Sequence, residues 1–391
     1  MASEKTSTSD ESDPHLLVLH LSQFLKADEP PFVRHYEILS GKFTGDIFAV
    51  ISRNVWRNIR ISRFEFLGLF LPQRIRNMNV IRNLLFATYA VGTALRRHYG
   101  KRRYDIVIAT NPFTCAIVGL AVCALTGAKL VIEVNGKFDS AFRVDKYRKG
   151  FSARWRHHAA QFIIPLMLGR ADAIKLLYEG QIDGVAGRRQ LPCYIFPAFV
   201  SISLLQPTAG SGKYLLFLGY PWYLKGVDIL IRSFQQISGE FPDYTLKVVG
   251  HCPDRTPFER LAAGNPRIEF APGVWFKEVI QLMQNCEILV LPSRTETMGR
   301  VLIEAMACRK PVIAARVDGV PFVVEHGETG LLFESENVDD LAAQMRRLLT
   351  NSRDMDRIAQ NGYRHALADF AEERYAVNYR GLADRVLGRV A

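Results

Sequence analysis

Short runs of aliphatic and β-branched residues alternate with longer segments of helical periodicity along most of the chain. In the first half, the short runs predict strands and the longer segments predict helices. The predicted strands are Leu16–Leu21, Ile47–Ile51, Asp105–Ala109, Lys129–Val134, Ala173–Leu177 and Tyr194–Phe196, and the predicted helices are Val80–His98 and Ala153–Leu168. Strands that are apolar on both faces and separated by helices are typical of a parallel α/β sheet.

The second half repeats this alternation after a linker at residues 206–213, QPTAGSGK, which is rich in Pro, Gly and Ser. Its predicted strands are Tyr214–Leu218, Thr245–Val249, Arg267–Phe270, Ile288–Leu291, Pro311–Ala314 and Gly330–Phe333. Residues 14–205 and 214–370 are therefore predicted to form two doubly wound, Rossmann-like α/β domains. Their ligand is expected in the cleft between them, beyond the carboxyl ends of the strands.

The two ends of the chain differ in character. Met1–Asp13 is polar and has no apolar run, which predicts a disordered tail and neither a secretory signal nor a membrane anchor. Residues 371–391 carry an amphipathic pattern from Glu372 to Val390, which predicts a helix that packs back towards the first domain.

The charge of the chain is unevenly distributed. Its net charge is +11, and residues 1–206 carry 28 Lys and Arg against 16 Asp and Glu, whereas residues 207–391 carry 22 against 23. The excess is densest between Arg53 and Arg103, where cations are interleaved with Trp56 and with the aromatic and aliphatic residues of positions 64–71. This pattern favours contact with an anionic membrane surface; an ordinary solvated face and a nucleic-acid surface are the alternatives.

Several classes of protein are disfavoured. No nucleic-acid-binding module is recognisable, so nucleic acid is not predicted as a partner. The longest apolar runs, Cys115–Leu125 and Phe162–Leu168, are shorter than the roughly 20 residues of a membrane-spanning helix, so attachment to a membrane would be peripheral. The six cysteines form no CxxC and have no histidine at metal-ligand spacing, so we expect no metal site and reduced thiols, which favours the cytoplasm.

The segment from 291 to 333 carries the strongest candidate chemistry. Gly299 precedes a predicted helix, Arg300–Ala307, and the free N–H groups and dipole at the start of a helix favour an anion such as a diphosphate. Glu304 lies one turn after Arg300, where its carboxylate can reach a sugar or ribose beside that phosphate. Two ordinary glutamates, Glu296 and Glu304, on a surface helix are the alternative.

Two further loops follow the carboxyl ends of predicted strands. Gly219, after the first strand of the second half, leads to Lys225 and Gly226 at the start of a helix, and Lys225 can deliver a positive charge to a phosphate. Gly250 forms a glycine turn after the next strand, and the adjacent His251 is either a ligand contact or a polar loop residue.

With these residues the chain resembles the family 4 glycosyltransferases, a group 1 family of retaining, metal-independent enzymes with the GT-B fold. The motifs FLGYPWYLKGVDILIRSF and LVLPSRTETMGRVLIEAMACRKPVIAARVDGVPFVVEHGETGLLF carry the resemblance, which is specific over residues 214–333. It implies that Lys225 binds the donor diphosphate and that Glu304 holds the ribose. It also implies that Glu296, with Met298, Gly299, Arg300 and Val301, holds the transferred sugar and its phosphate, and that the loop at Val274 lies beside the base.

The chain departs from the family pattern at three places. Tyr220 stands where an arginine usually follows the first glycine, and Arg294 or Arg300 is the candidate to compensate. Residues 24–32, FLKADEPPF, replace the usual glycine-rich loop. Asn135 stands where a histidine often lies beneath the sugar; it can hydrogen-bond a hydroxyl but cannot titrate.

The predicted function is transfer of a hexose from a UDP or GDP sugar to a lipid-linked or glycan acceptor, with no cofactor, at the inner face of the cytoplasmic membrane in surface polysaccharide or glycolipid synthesis. The predicted catalytic residues are Glu296, Lys225 and Asn135. Two alternatives remain: a sugar-nucleotide epimerase on the same fold, and a non-catalytic protein that binds a nucleotide sugar or a partner glycosyltransferase.

Overall fold

A computed structural model describes residues 13–21, 28–52, 58–100, 102–137, 161–183, 185, 192–208 and 212–389. The predicted tail up to residue 12 and the first part of the predicted helix Ala153–Leu168 lie outside the described residues. So do residues 24–27 of the loop at 24–32, residues 209–211 of the linker and Val390 at the end of the last predicted helix.

The first domain is built on an eight-stranded sheet with the order β3-β4-β2-β1-β5-β6-β7-β8. Its strands are β1 His15–His20, β2 Thr44–Ile51, β3 Asn58–Ile61, β4 Phe64–Phe70, β5 Ile106–Ala109, β6 Lys129–Glu133, β7 Ala173–Leu176 and β8 Cys193–Ile195. Its helices are α1 Pro30–Ser40, α2 Gln73–Arg76, α3 Asn79–Tyr99, α4 Thr114–Thr126 and α5 at residues 161–168. All pairs are parallel except β3 with β4.

The second domain is built on a six-stranded, wholly parallel sheet with the order β11-β10-β9-β12-β13-β14. Its strands are β9 Tyr214–Leu218, β10 Thr245–Val249, β11 Ile268–Ala271, β12 Ile288–Leu291, β13 Val312–Ala315 and β14 Leu331–Phe333. Its helices are α6 Val227–Ile237, α7 Thr256–Ala262, α8 Phe276–Asn285, α9 Arg300–Ala307, α10 Val338–Thr350 and α11 Ser352–Asp369, and α12 Glu372–Val386 ends the chain.

The predicted fold class, two Rossmann-like α/β domains, is confirmed. The interpretation of residues 64–71 as part of a surface segment was wrong, because these residues form a strand between β2 and β3. Both faces of this strand are buried, because Phe64 and Phe66 pack into one apolar cluster and Leu67 packs into another. The basic segment is also partly internal: Arg97 forms ion pairs of 2.8 Å with Asp46 and with Glu65.

The last helix crosses from the second domain to the first. In α12, Tyr375, Tyr379 and Leu382 pack into the same apolar cluster as strand residues of the first sheet. The buried Glu372 accepts hydrogen bonds from Arg34 Nε at 2.7 Å and from the backbone and hydroxyl of Ser203 at 3.0 and 2.6 Å. The helix therefore lies against the first sheet, although the exact domain boundaries stay predictions.

Candidate functional site

A cavity of about 750 Å³ lies between the two sheets, where the carboxyl ends of their strands meet. His20 and Glu133 end strands β1 and β6 on one side, and Leu218 and Leu291 end β9 and β12 on the other. Parallel α/β sheets bind ligands at this edge because the loops there are free to carry polar groups while the strands stay rigid. The cavity is therefore the candidate site.

Gly299 shapes the second-domain wall. Its φ of +68° is a left-handed conformation, and a β-carbon at this position would lie 2.8 Å from Leu302 Cδ1 and 3.0 Å from Leu291 Cδ2. Helix α9 therefore begins directly after a glycine, with Arg300 and Val301 bordering the cavity. The N–H groups of Arg300 and Val301 have no carbonyl four residues back within the helix, so they are available to an anion, whereas the Leu302 N–H already donates to the Gly299 carbonyl at 2.8 Å.

Lys225 and Glu296 meet on the same wall. The Lys225 ammonium contacts the Glu296 carboxylate, which also accepts a hydrogen bond of 3.2 Å from Ser293 Oγ. Their two loops touch because Gly226, with a φ of +70°, passes so close to Pro292 that a β-carbon would lie 1.9 Å from its carbonyl oxygen. Glu296 thus neutralises the cation expected to bind phosphate.

Asp318 fixes the loop that carries Glu296. Its carboxylate accepts hydrogen bonds from Thr295 Oγ1 at 2.5 Å and the Glu296 N–H at 3.1 Å, and it forms an ion pair of 2.6 Å with Lys137 of the first domain. Burial opposes ionisation of Asp318, but these hydrogen bonds outweigh it and lower its pKa. The Asp318 carboxylate therefore links the Glu296 loop to Lys137 in the first domain.

Glu304 lies one helical turn after Arg300 in α9. Its side chain is 17% exposed, and Arg300 is 3.8 Å away. Burial raises the pKa of Glu304, while the nearby Arg300 partly opposes this rise. A partly buried carboxylate that borders the cavity can accept hydrogen bonds from adjacent hydroxyl groups, as a ribose would offer them.

The structure brings together most of the predicted site residues. Gly219, Lys225, Asn135, Glu296, Met298, Gly299, Arg300, Val301 and Glu304 all border the cavity. Gly250 and Val274 do not, although both are described. Gly250 lies behind Gly219, whose carbonyl oxygen would be 2.0 Å from a β-carbon at Gly250, and Val274 packs against the core of the second domain.

The suggestion that Arg294 compensates for the arginine absent at Tyr220 was wrong. Its guanidinium makes two hydrogen bonds of 2.8 Å to Asp228, one of 2.8 Å to Glu336 and one of 2.6 Å to the Tyr223 carbonyl. Four of the five N–H donors of Arg294 are therefore engaged, and its side chain does not border the cavity. Arg300, with a half-exposed side chain at the cavity wall, remains the candidate.

The first-domain wall contains residues that the sequence analysis missed. His20, His35, Glu133, Lys175 and Tyr375 border the cavity beside Asn135. A lysine inside the otherwise apolar strand AIKL was the available signal for Lys175, and a glutamate two residues before Asn135 was the signal for Glu133. His35 and Tyr375 gave no signal, because their position depends on how α1 and α12 pack, whereas the signal for His20 was a polar residue at the carboxyl end of the first strand.

Two features concern metals and membranes. Within the described ranges, no group of three or more His, Cys, Asp or Glu side chains is arranged to hold a metal ion. Over the same part of the chain, each helix is too short or too polar to cross a bilayer.

The second domain matches a known family. Residues 206–365 match the profile of the family described as glycosyl transferases group 1. Over 155 residues the chain is 37% identical to an uncharacterised glycosyltransferase of Methanocaldococcus jannaschii, an alignment that covers 39% of this chain and 43% of the relative. It is 27% identical over 295 residues to the MMP alpha-(1->4)-mannosyltransferase of Mycolicibacterium hassiacum, which covers 71% of this chain and 70% of the relative.

Solved structures resemble the whole fold. Sucrose-phosphate synthase of Thermosynechococcus elongatus aligns with a TM-score of 0.78 at 18% identity, over 96% of this chain and 100% of that chain. Anabaena HepE in complex with UDP and glucose aligns with a TM-score of 0.72 at 17% identity, with the same coverage.

Two Rossmann-like domains that face each other across a cavity are the arrangement of the GT-B fold, which the solved structures share. Residues 206–365 match the group 1 glycosyl transferases, and the solved structures share the fold of the whole chain.

Proposed function

We propose that the protein is a retaining glycosyltransferase that moves a hexose from a nucleoside diphosphate sugar to a lipid-linked glycan. The observation that carries the proposal is the convergence of Lys225, Glu296 and the start of α9 on one wall of the cavity. These groups supply a cation, N–H donors at the start of a helix and a carboxylate within one loop cluster. A diphosphate joined to a sugar matches that set of groups.

The chemical task of this wall is to stabilise charge on the leaving diphosphate. As the glycosidic bond lengthens, negative charge grows on the phosphate, and Lys225, Arg300 and the first-turn N–H groups of α9 oppose it. The donor phosphate replaces the Glu296 carboxylate as the partner of Lys225, so that Glu296 becomes free to hydrogen-bond the sugar. The acceptor hydroxyl then enters from the face that the diphosphate leaves. Its oxygen bonds the anomeric carbon, and its proton passes to the departing diphosphate.

An exposed apolar and basic surface lies at the start of α3, and it supports a membrane-associated acceptor. Its apolar members are Met78, Val80, Ile81, Leu84 and Leu85, which are 38% to 72% exposed. Residues 66–104 contain no Asp or Glu, and neither Arg74 nor Arg76 forms an ion pair with any described residue. Since α3 follows the carboxyl end of β4, this surface lies at the same edge of the sheet as the cavity. An anionic membrane is the partner whose chemistry it matches.

Release of nucleoside diphosphate from a panel of UDP and GDP sugars, with and without a membrane lipid extract from the source cells, tests the proposed reaction. We expect release to depend on the extract and on one donor. Binding of nucleotide without release from any donor would leave a non-catalytic nucleotide-sugar-binding protein. Conversion of the free nucleotide sugar without an acceptor would indicate an epimerase.

Sedimentation with phospholipid vesicles tests the membrane surface. Leu84→Glu places a charge where an apolar side chain would enter the lipid, so we expect its partition onto vesicles with about 30% phosphatidylglycerol to fall at least about tenfold. Leu367→Glu, the same change at an exposed leucine of the second domain, is the matched control and is expected to bind like the wild type. Binding that is unaffected by Leu84→Glu, or that persists when salt is raised from about 0.05 to about 0.5 M, would contradict this surface.

A further inference from the structure

Lys175 is a buried cation on the first-domain wall of the cavity. It lies in β7, directly opposite Glu133 in β6, and the residue is 1% exposed. Among the residues that the structure describes, none accepts a hydrogen bond from its ammonium, and Glu133 Oε1 lies 4.0 Å away. The ammonium nevertheless borders the cavity.

An ammonium with three N–H donors is costly to bury without hydrogen-bond acceptors. Burial lowers the pKa of Lys175, and the charge of Glu133 partly opposes this effect. The rings of Phe196 and Tyr375, with centroids 5.0 and 5.8 Å from Nζ, contribute cation–π attraction but no hydrogen bond. A ligand in the cavity can supply the hydrogen-bond acceptor that the described residues do not provide.

Glu133 offers the complementary group. Its carboxylate accepts hydrogen bonds from Tyr379 at 2.7 Å and from Asn135 Nδ2 at 3.1 Å. Two carboxylate oxygens have about four acceptor positions, so capacity remains for a ligand hydroxyl. Tyr379 belongs to α12, so this wall forms only when the last helix packs on the first domain.

We propose that Glu133 and Lys175 form a hydroxyl-binding subsite that selects a neutral polyhydroxylated acceptor, such as a sugar or cyclitol ring. A hydroxyl is both donor and acceptor, so neighbouring hydroxyls can satisfy an ammonium and a carboxylate placed 4.0 Å apart. This inference rests on the proposed function, because it assigns the acceptor side of the same cavity.

The charges around the subsite favour a neutral ring over an anionic one. The Lys175 and Glu133 charges cancel, so a phosphate or carboxylate that reached Lys175 would also meet the Glu133 carboxylate. Burial lowers the pKa of His20 to about 4 and that of His35 well below its usual range, so both imidazoles are uncharged near neutral pH. On the opposite wall Arg300 faces Glu304 at 3.8 Å.

Saturation-transfer NMR of small polyols in the presence of UDP or GDP tests the subsite without an identified acceptor. The probes are the methyl α-glycosides of glucose, mannose and galactose, myo-inositol, and glucose 6-phosphate as an anionic comparison. We expect the wild type to bind at least one neutral probe. Lys175→Met is expected to raise its dissociation constant about tenfold or more, since a charged hydrogen bond is lost.

Lys129→Met is the matched control, because Lys129 lies in β6, at the end far from the cavity, in an ion pair of 3.0 Å with Asp172. It is expected to bind the probe like the wild type. Glu133→Gln, which keeps the shape of the side chain, is the second variant in case Lys175→Met is unstable. It is expected to raise the dissociation constant of the probe by a similar factor.

Each outcome of this experiment decides one question. Failure of the wild type to bind any neutral probe, unchanged binding in both variants, or tighter binding of glucose 6-phosphate than of methyl α-glucoside would overturn the subsite. Failure to bind either nucleotide would instead overturn the proposed function. If the variants lose polyol binding but keep nucleotide binding, the effect is confined to the acceptor side and is not a general loss of structure.

Discussion

Lys225→Ala is expected to lower turnover by roughly 10²-fold or more, the loss typical of removing one group that stabilises charge in a transition state. The substitution removes the cation that faces the leaving diphosphate. It also leaves the Glu296 carboxylate without the ammonium that it contacts, and this adds a repulsive charge beside the phosphate. The measurement is the initial rate of nucleoside diphosphate release at saturating donor.

Lys247→Ala is the matched control for Lys225→Ala. Lys247 belongs to the same sheet and lies 3.4 Å from Glu269, but it does not border the cavity. We expect it to retain wild-type turnover. The double variant Lys225→Ala/Glu296→Gln removes the charge of the orphaned carboxylate but keeps a side chain that can hydrogen-bond the sugar, so a rate above that of Lys225→Ala measures the repulsion. A rate for Lys225→Ala within about threefold of wild type would contradict the role assigned to Lys225.

The second-domain wall was predictable because its chemistry is local in sequence. Gly299 and the start of α9 are adjacent in the chain, and the loop from Gly219 to Gly226 directly follows a strand. Local glycines, helix starts and strand ends are what a sequence pattern records. The pattern did not record the contact between Lys225 and Glu296. These residues are 71 positions apart and meet because the backbone at Gly226 lies close to the Pro292 carbonyl oxygen.

The first-domain wall was largely unpredictable, because it is assembled from distant parts of the chain. Glu133 and Tyr379 are 246 positions apart and meet only when α12 packs on the first sheet. Strand β4 was missed for a related reason: alternating aromatic and aliphatic residues flanked by arginines fit an exposed amphipathic segment as well as a buried strand. Pairing with β2 and β3, and the ion pairs that Glu65 makes with Arg97 and Arg102, decide between them.

Glu304 is expected to show opposite effects on activity and stability. Glu304→Ala should lower turnover by roughly 10²-fold or more, because the carboxylate that accepts hydrogen bonds from the nucleotide sugar is removed. Glu304→Gln, which keeps the size of the side chain, should also weaken the binding of the donor. It should nevertheless raise the melting temperature of the unliganded protein at pH 7. Differential scanning calorimetry and donor titration measure the two effects on the same samples.

The sign of the stability effect follows from the pKa of Glu304. Burial raises this pKa in the folded protein, so between the ordinary value for glutamate and the raised value the folded state holds a proton that the unfolded state has lost. The folded protein therefore loses stability as pH rises through that interval. Above the raised pKa, the ionised carboxylate destabilises the folded protein by the full cost of its burial. Glutamine has no proton to lose, so the stability gap between Glu304→Gln and wild type should be larger at neutral than at acid pH. It should shrink as the pH falls from the raised pKa towards the ordinary value of glutamate, and it should be nearly absent below about 4. A gap that is independent of pH, or a variant less stable than wild type at pH 7, would show that the carboxylate is stabilised by its surroundings and is not held ready for a ligand.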